Sequence, residues 1–237
     1  MDLSLKNHLS LSDRILKLIE RAILTGSIKP GERLIETELA KNIGISKSPV
    51  REALKRLEGE GIVQLLPRKG YFVKDINRKS IEDFFDVMFI IEPASALLSL
   101  KNKGETVCRE IDEILSNMER CLRKREHESY RILNDEFHGL FYSLTENEWI
   151  MKISQMLRKQ AYMLRSLSLY TKDRFSSSLE EHQAIADAYK KGDKRLLEEA
   201  VKKHVTMFKE NILHSDFVRE NSWVSNTNNL NNKTSQA

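Results

Sequence analysis

The sequence predicts a mainly α protein: an N-terminal winged helix-turn-helix followed by an all-helical bundle domain. Three observations carry that expectation. A tight turn at Gly44 separates two short helical patterns, Glu36 to Ile43 and Ser48 to Glu58, and cations flank the start of the second. A hairpin pattern follows at once, with Ile62-Val63-Gln64-Leu65-Leu66 and Tyr71-Phe72-Val73 on either side of Pro67-Arg68-Lys69-Gly70. From Ser80 onward only long helical periods occur.

Taken in order, Ser12 to Thr25 forms a first helix with Ile15, Leu16, Leu18, Ile19, Ala22 and Ile23 on its apolar face, ended by Gly26. Ile28-Lys29-Pro30-Gly31 is a turn. In the second helix of the motif, Ser48 is the expected cap and Pro49 the first helical residue, since proline has no amide to leave unpaired there. Val50, Ala53, Leu54 and Leu57 repeat at helical spacing and give a buried face, while Lys47, Arg51 and Lys55 point elsewhere. Gly61 stops the helix. The hairpin then forms a wing with Arg68 and Lys69 at its tip.

The short polar stretch from Lys74 to Lys79 sets the domain boundaries: 1–75, a linker at 76–79, and a helical domain at 80–215. Its expected helices are Ser80–Lys101, Glu105–Arg125, Glu128–Leu144, Trp149 to about Tyr170, Ser178–Lys191 and Lys194 to about Leu213. Pro93 should kink or split the first of these. The tail at 216–237 is rich in Asn, Ser and Thr and is expected to be disordered.

Composition narrows the class. Hydrophobic residues make up 40% and charged residues 31%, as in a globular protein. No apolar run approaches the ~20 residues of a membrane span, and no signal-peptide core precedes Ser10. A cytoplasmic location with no membrane partner is expected. Cys108 and Cys121 are too few for a disulfide framework and too isolated for a zinc motif. The net charge of +4 is unevenly placed. Residues 1–75 hold 14 Lys/Arg against 10 Asp/Glu, whereas residues 76–237 hold 25 of each. The excess sits on the helix-turn-helix, where phosphates would be met.

Three of the six histidines, His138, His182 and His204, fall on three different expected helices beside apolar residues. Convergence of three imidazoles inside a bundle makes a site for a divalent ion such as zinc, nickel or manganese. Asn134, one turn before His138, can add an oxygen, whereas Asp135 points about 100° away. The other reading of all four is ordinary core or surface residues.

The motifs carry a resemblance. Gly26-Ser27-Ile28-Lys29-Pro30-Gly31-Glu32-Arg33-Leu34, Glu38-Leu39-Ala40, Gly44-Ile45-Ser46, Pro49-Val50-Arg51-Glu52-Ala53-Leu54, Arg56-Leu57 and Glu60-Gly61 resemble the winged-helix domain of the GntR family of bacterial transcription regulators. Ile91-Glu92-Pro93-Ala94, Phe137-His138, Glu181-His182-Gln183-Ala184-Ile185, Ala188-Tyr189, Gly192-Asp193 and His204 resemble the FCD ligand-binding domain of its FadR subfamily. That resemblance implies a metal held in an effector cavity by an acidic residue and three histidines, here Asn134, His138, His182 and His204. The departures are Asn134, where relatives commonly carry aspartate, and Met88, where many carry an arginine that grips a carboxylate effector. Arg165, on one helix with Tyr162, is a substitute for that grip; its other reading is an exposed arginine.

The expected function is a homodimeric DNA-binding regulator, not an enzyme. It would bind an inverted-repeat operator in double-stranded DNA under control of a small-molecule effector, an organic acid or related metabolite. The expected DNA contacts are Arg33, Thr37, Lys47, Ser48, Pro49, Arg51, Arg68, Lys69 and Gly70, with Arg51 on a base edge and Lys47, Arg68 and Lys69 on phosphates. Met88, Tyr162 and Arg165 are the expected effector contacts. The rivals are a metal-sensing regulator, in which the ion itself is the effector, and a metal-dependent enzyme fused to a winged helix. No recognisable nucleophile or base motif supports the last.

Overall fold

A computed structural model describes residues 10–24, 27–75, 77–167 and 172–215. The chain divides into two compact units, Met1–Ile76 and Asn77–Ala237. The expectations of Gly26 as a helix stop and of a disordered tail fall outside the described residues.

In the first unit, α1 (Leu11–Leu24) is capped reciprocally. The Asp13 amide donates to Ser10 Oγ at 3.1 Å and the Ser10 amide to Asp13 Oδ2 at 2.8 Å. Its buried Ile15, Leu16, Ile19 and Ile23 form one core with Val50, Ala53, Leu54 and Leu57 of α3 (Lys47–Gly59). Leu18 departs from the expected apolar face and stands 56% exposed. The second helix of the motif, α2 (Glu36–Ile43), ends at Gly44, whose φ of 77° is left-handed and suits a residue without a Cβ.

The third helix, α3, spans Lys47–Gly59 and begins one residue before the expected cap. Ser46 is the cap, without a side-chain bond, and Ser48 and Pro49 both lie inside the first turn. Proline is tolerated there because first-turn amides have no intrahelical partner. The strands are β1 (Arg33–Leu34), β2 (Val63–Leu66) and β3 (Gly70–Val73), antiparallel in the order β1-β3-β2. Arg33 pairs with Phe72, so the wing has a third strand that a two-residue pattern could not announce.

The second unit is helical among its described residues: α4 (Arg78–Ser99), a 3-10 turn at Leu100–Asn102, α5 (Glu105–Lys124), α6 (His127–Ser143), α7 (Glu148–Leu167), α8 (Lys172–Lys191) and α9 (Lys194–Leu213). The first of these starts in a capping box between Asn77 and Ser80. It runs unbroken through Pro93, so of the two expected outcomes, a kink or a split, the split does not occur. Pro93 removes one amide donor, and its burial, with that of Glu92, Ser95 and Ala96, holds the helix against its neighbours. Helices α5, α6, α8 and α9 enclose Ile111, Met118, Phe137, Tyr189 and Leu197. The hydroxyl of Tyr189 donates to the Ser99 carbonyl at 3.2 Å, which ties α8 to α4. One helix, α8, starts two turns earlier than its apolar pattern suggests.

Candidate nucleic-acid interface and metal centre

In the first unit, Lys47, Ser48 and Arg51 are exposed at the start of α3, with Pro49 half-buried beside them, and Thr37 is exposed on α2. Arg68 and Lys69 are exposed in the wing turn, where Arg68 has a left-handed φ of 62°. Gly70 follows with φ 94°, and a Cβ there would sit 3.9 Å from the Arg33 guanidinium. Arg33 therefore belongs to the wing through β1. Arg51 is not a bare cation. Its Nε donates to Glu36 Oε1 and Oε2 at 3.2 and 3.0 Å, and its Nη2 to Oε2 at 2.9 Å. The sequence reading missed Glu36, because a carboxylate 15 residues away leaves no periodic signal.

In the second unit, α6, α8 and α9 each contribute one buried histidine. One ligand atom from each of His138, His182 and His204 lies within 4.8 Å of the others. The His138 and His182 Nε2 atoms are 3.3 Å apart. A carboxylate only accepts, so the His204 Nδ1–H donates to Glu181 Oε2 at 2.7 Å. That leaves His204 Nε2 as a lone pair, buried and without a hydrogen-bond partner among the described residues. In the same way His138 Nδ1 faces Glu92 Oε2 at 3.4 Å and turns its Nε2 inward. His182 Nδ1 and Asn134 Nδ2 are also buried without partners.

Electrostatics keep the inner rings ready as ligands. Burial first, then the electrostatic influence of His204, His138, Arg165 and Arg174, pushes the His182 imidazole well below its usual range. Burial, His138 and both arginines do the same to His204. Neutral imidazoles offer lone pairs. Around them stand charges that the periodicity did not reveal. The Arg174 guanidinium donates to Glu181 through Nη1 at 2.6 Å and Nη2 at 3.0 Å, with both side chains buried. Glu92 Oε1 accepts the Tyr142 hydroxyl at 2.7 Å. Burial raises the Glu92 carboxyl, but His138, Tyr142 and Arg165 together bring it below the usual range.

The residues present fit a divalent ion. Three convergent imidazoles, two of them backed by carboxylates, leave ring nitrogens of His182 and His204 buried without a hydrogen-bond partner, whereas the unpartnered Asn134 Nδ2 is a donor and only its Oδ1 could reach an ion. Asn134 is buried on α6, as its place before His138 required, and Asp135 is drawn away into a pair with Arg158 at 2.6 Å. Met88 is buried on α4 one turn before Glu92. Arg165 is buried, not exposed, and lies 4.5 Å from the Phe208 ring centroid. Tyr162 donates to Glu128 Oε1 at 2.5 Å, and burial first, then this carboxylate, raises its hydroxyl to about 12.

Comparison with known proteins accounts for both units. Residues 11–73 match the family of bacterial regulatory proteins called gntR, and residues 83–207 match the FCD domain. A Bacillus subtilis protein named as the uncharacterised HTH-type transcriptional regulator YdhC is 28% identical over 188 residues, covering 79% of this chain and 82% of its own. The Escherichia coli repressor RspR is 24% identical over 216 residues, 91% of this chain and 94% of its own. The gluconate operon repressor of B. subtilis is 26% identical over 189 residues, 78% of this chain and 77% of its own. The solved structure of E. coli McbR/YncC shares the fold with a TM-score of 0.69 at 20% identity, covering 84% of this chain and 95% of that one. These relatives are transcription regulators, not enzymes, and this chain belongs to the GntR family of DNA-binding transcription regulators, with an FCD domain as its C-terminal part.

Proposed function

We propose that the protein is a cytoplasmic, homodimeric operator-binding regulator whose DNA affinity responds to a small carboxylate effector held beside a divalent ion in the helical unit. The observation that carries this reading is the convergence of His138, His182 and His204 around buried lone pairs. Their three ring nitrogens and Asn134 would hold the ion, while Glu92 and Glu181 orient His138 and His204. A divalent ion bound there supplies a Lewis-acidic anchor for an anionic ligand. Met88 cannot pair with a carboxylate, and buried Arg165 is the cation that takes over that role, with Tyr162 about one turn before it on α7. The name of one relative ties it to a gluconate operon, and gluconate is a carboxylate.

At the DNA, Arg51 reads a base edge and Lys47, Arg68 and Lys69 contact phosphates, with Arg33 and Gly70 completing the wing and Thr37, Ser48 and Pro49 flanking the reading helix. Two-fold pairing matches an inverted repeat. Effector binding changes operator affinity through a coupling free energy between the two sites.

The test is an operator titration with the metal-stripped protein, then with added zinc, nickel or manganese, and then with metal plus a panel of carboxylic acids. Acids altering affinity only with metal present support the reading. A response to metal alone makes the ion the effector. No response to either in a protein that still binds DNA overturns it.

A further inference from the structure

We propose that Glu36 is a specificity-determining residue: it clamps Arg51 side-on and presents the free end of the guanidinium to the operator. This rests on the reading of Arg51 as the base-contacting residue. The clamp spans the two helices of the motif, from the first turn of α2 to the first turns of α3. Glu36 takes the Nε–H and an Nη2–H of Arg51, at 3.0 and 2.9 Å to the same Oε2. A guanidinium carries five N–H groups in a fixed plane. The side-on edge is spent on Glu36. The end-on edge, one N–H from each Nη, remains, and it matches the O6 and N7 acceptors of guanine.

The exposure of the pair agrees with this division of labour. The Glu36 side chain is 23% exposed and Arg51 56%, so the carboxylate is the partly sheltered anchor and the cation the part that projects. An arginine already held in one geometry gives up less rotamer freedom when it docks. The carboxylate also acts against wrong sites. Where no guanine meets Arg51, the carboxylate still neutralises the Arg51 charge, so the pair gives a random duplex little net attraction for its phosphates. Glu36 should therefore widen the gap between operator and random DNA from both sides.

The experiment uses the full chain, a duplex selected by the wild-type protein from a random pool, and a scrambled duplex of equal length. Affinities for both are measured for wild type, Glu36→Gln, Arg51→Ala and the double variant, with thermal melts of each. We expect Glu36→Gln to lower the operator-to-scrambled ratio about tenfold, with scrambled binding equal or tighter and the melt unchanged. In the Arg51→Ala background the same substitution should leave the ratio alone. An unchanged ratio in Glu36→Gln beside a collapsed one in Arg51→Ala overturns the clamp and spares the reading of Arg51. An unchanged ratio in Arg51→Ala overturns both. A fall of equal size in the two backgrounds, or a lower melt with weaker binding to both duplexes, makes Glu36 a structural residue and also overturns the clamp.

Discussion

At the scale of single residues, the donor set around the three histidines would decide how firmly a bound ion is held. His204 has its Nδ1 fixed by Glu181 at 2.7 Å, so its Nε2 lone pair is aimed in advance. Glu181→Gln removes that carboxylate and should weaken metal retention roughly 10–100-fold in competition with a chelator. Asn134 is a neutral donor, and hard anionic oxygens hold divalent ions more strongly. Asn134→Asp should keep its metal through a mild chelation that strips the wild type, and His182→Ala should lose it altogether. Elemental analysis of the three proteins after dialysis reads this directly, and equal, negligible metal in all of them removes the site. At the DNA, Arg51→Ala should abolish preference for the selected duplex, a loss of about 1–3 kcal/mol of discrimination; a gel-shift titration with unchanged operator affinity overturns that role.

At the scale of elements, α3 does two jobs, and its two faces separate them. Leu54 is fully buried against α1, and Leu54→Ala should cost about 2–5 kcal/mol in chemical denaturation. The exposed face and the wing should instead affect only DNA. Lys69→Ala removes one expected phosphate contact and should lower the salt slope of operator binding by about one unit with no change in folding. The start of α1 adds a pH signature. The side-chain hydrogen bond from Ser10 first, then that from Arg56, lowers the Asp13 carboxyl from 3.8 to about 2. A depressed folded-state value means that the stabilisation is complete above the unfolded value and is lost as pH falls through about 2. Asp13→Asn should therefore melt lower than wild type at neutral pH, and the difference should shrink below pH 3.8 and vanish only below about 2. A gap that persists in acid points to hydrogen bonding independent of charge.

At the scale of the whole molecule, the prediction is a dimer built on the helical unit. Val87, Ile90 and Leu98 share one face of α4 and are 41%, 67% and 47% exposed, an apolar stripe that water does not favour. Ile90→Glu in the full chain should shift sedimentation equilibrium to monomer and weaken binding to a paired half-site duplex. Binding to a single half-site should be unaffected, since one winged helix meets it. A dimer unperturbed by Ile90→Glu moves the interface off this face.

What the sequence determined by itself was the kind and order of the parts. Glycine at a left-handed turn, apolar residues at helical spacing in α3, and two β-rich runs around Pro67–Gly70 are local constraints, so the winged helix was legible down to most element ends. The long amphipathic periods gave the helical unit for the same reason. The histidines were legible as candidates because Phe137, Ile185 and Val201 marked the buried faces on which His138, His182 and His204 sit. Only the tertiary structure decided what those residues meet. A two-residue strand such as β1 exists because β3 lies beside it. Pro93 stays inside a continuous helix because packing outweighs one missing amide. Arg165 is buried, though it reads as a surface cation. The partners Glu36 for Arg51, Glu181 for His204 and Glu92 for His138 come from separate turns or helices. Side-chain hydrogen bonds across such distances follow from how helices pack, and no spacing rule along the chain encodes them.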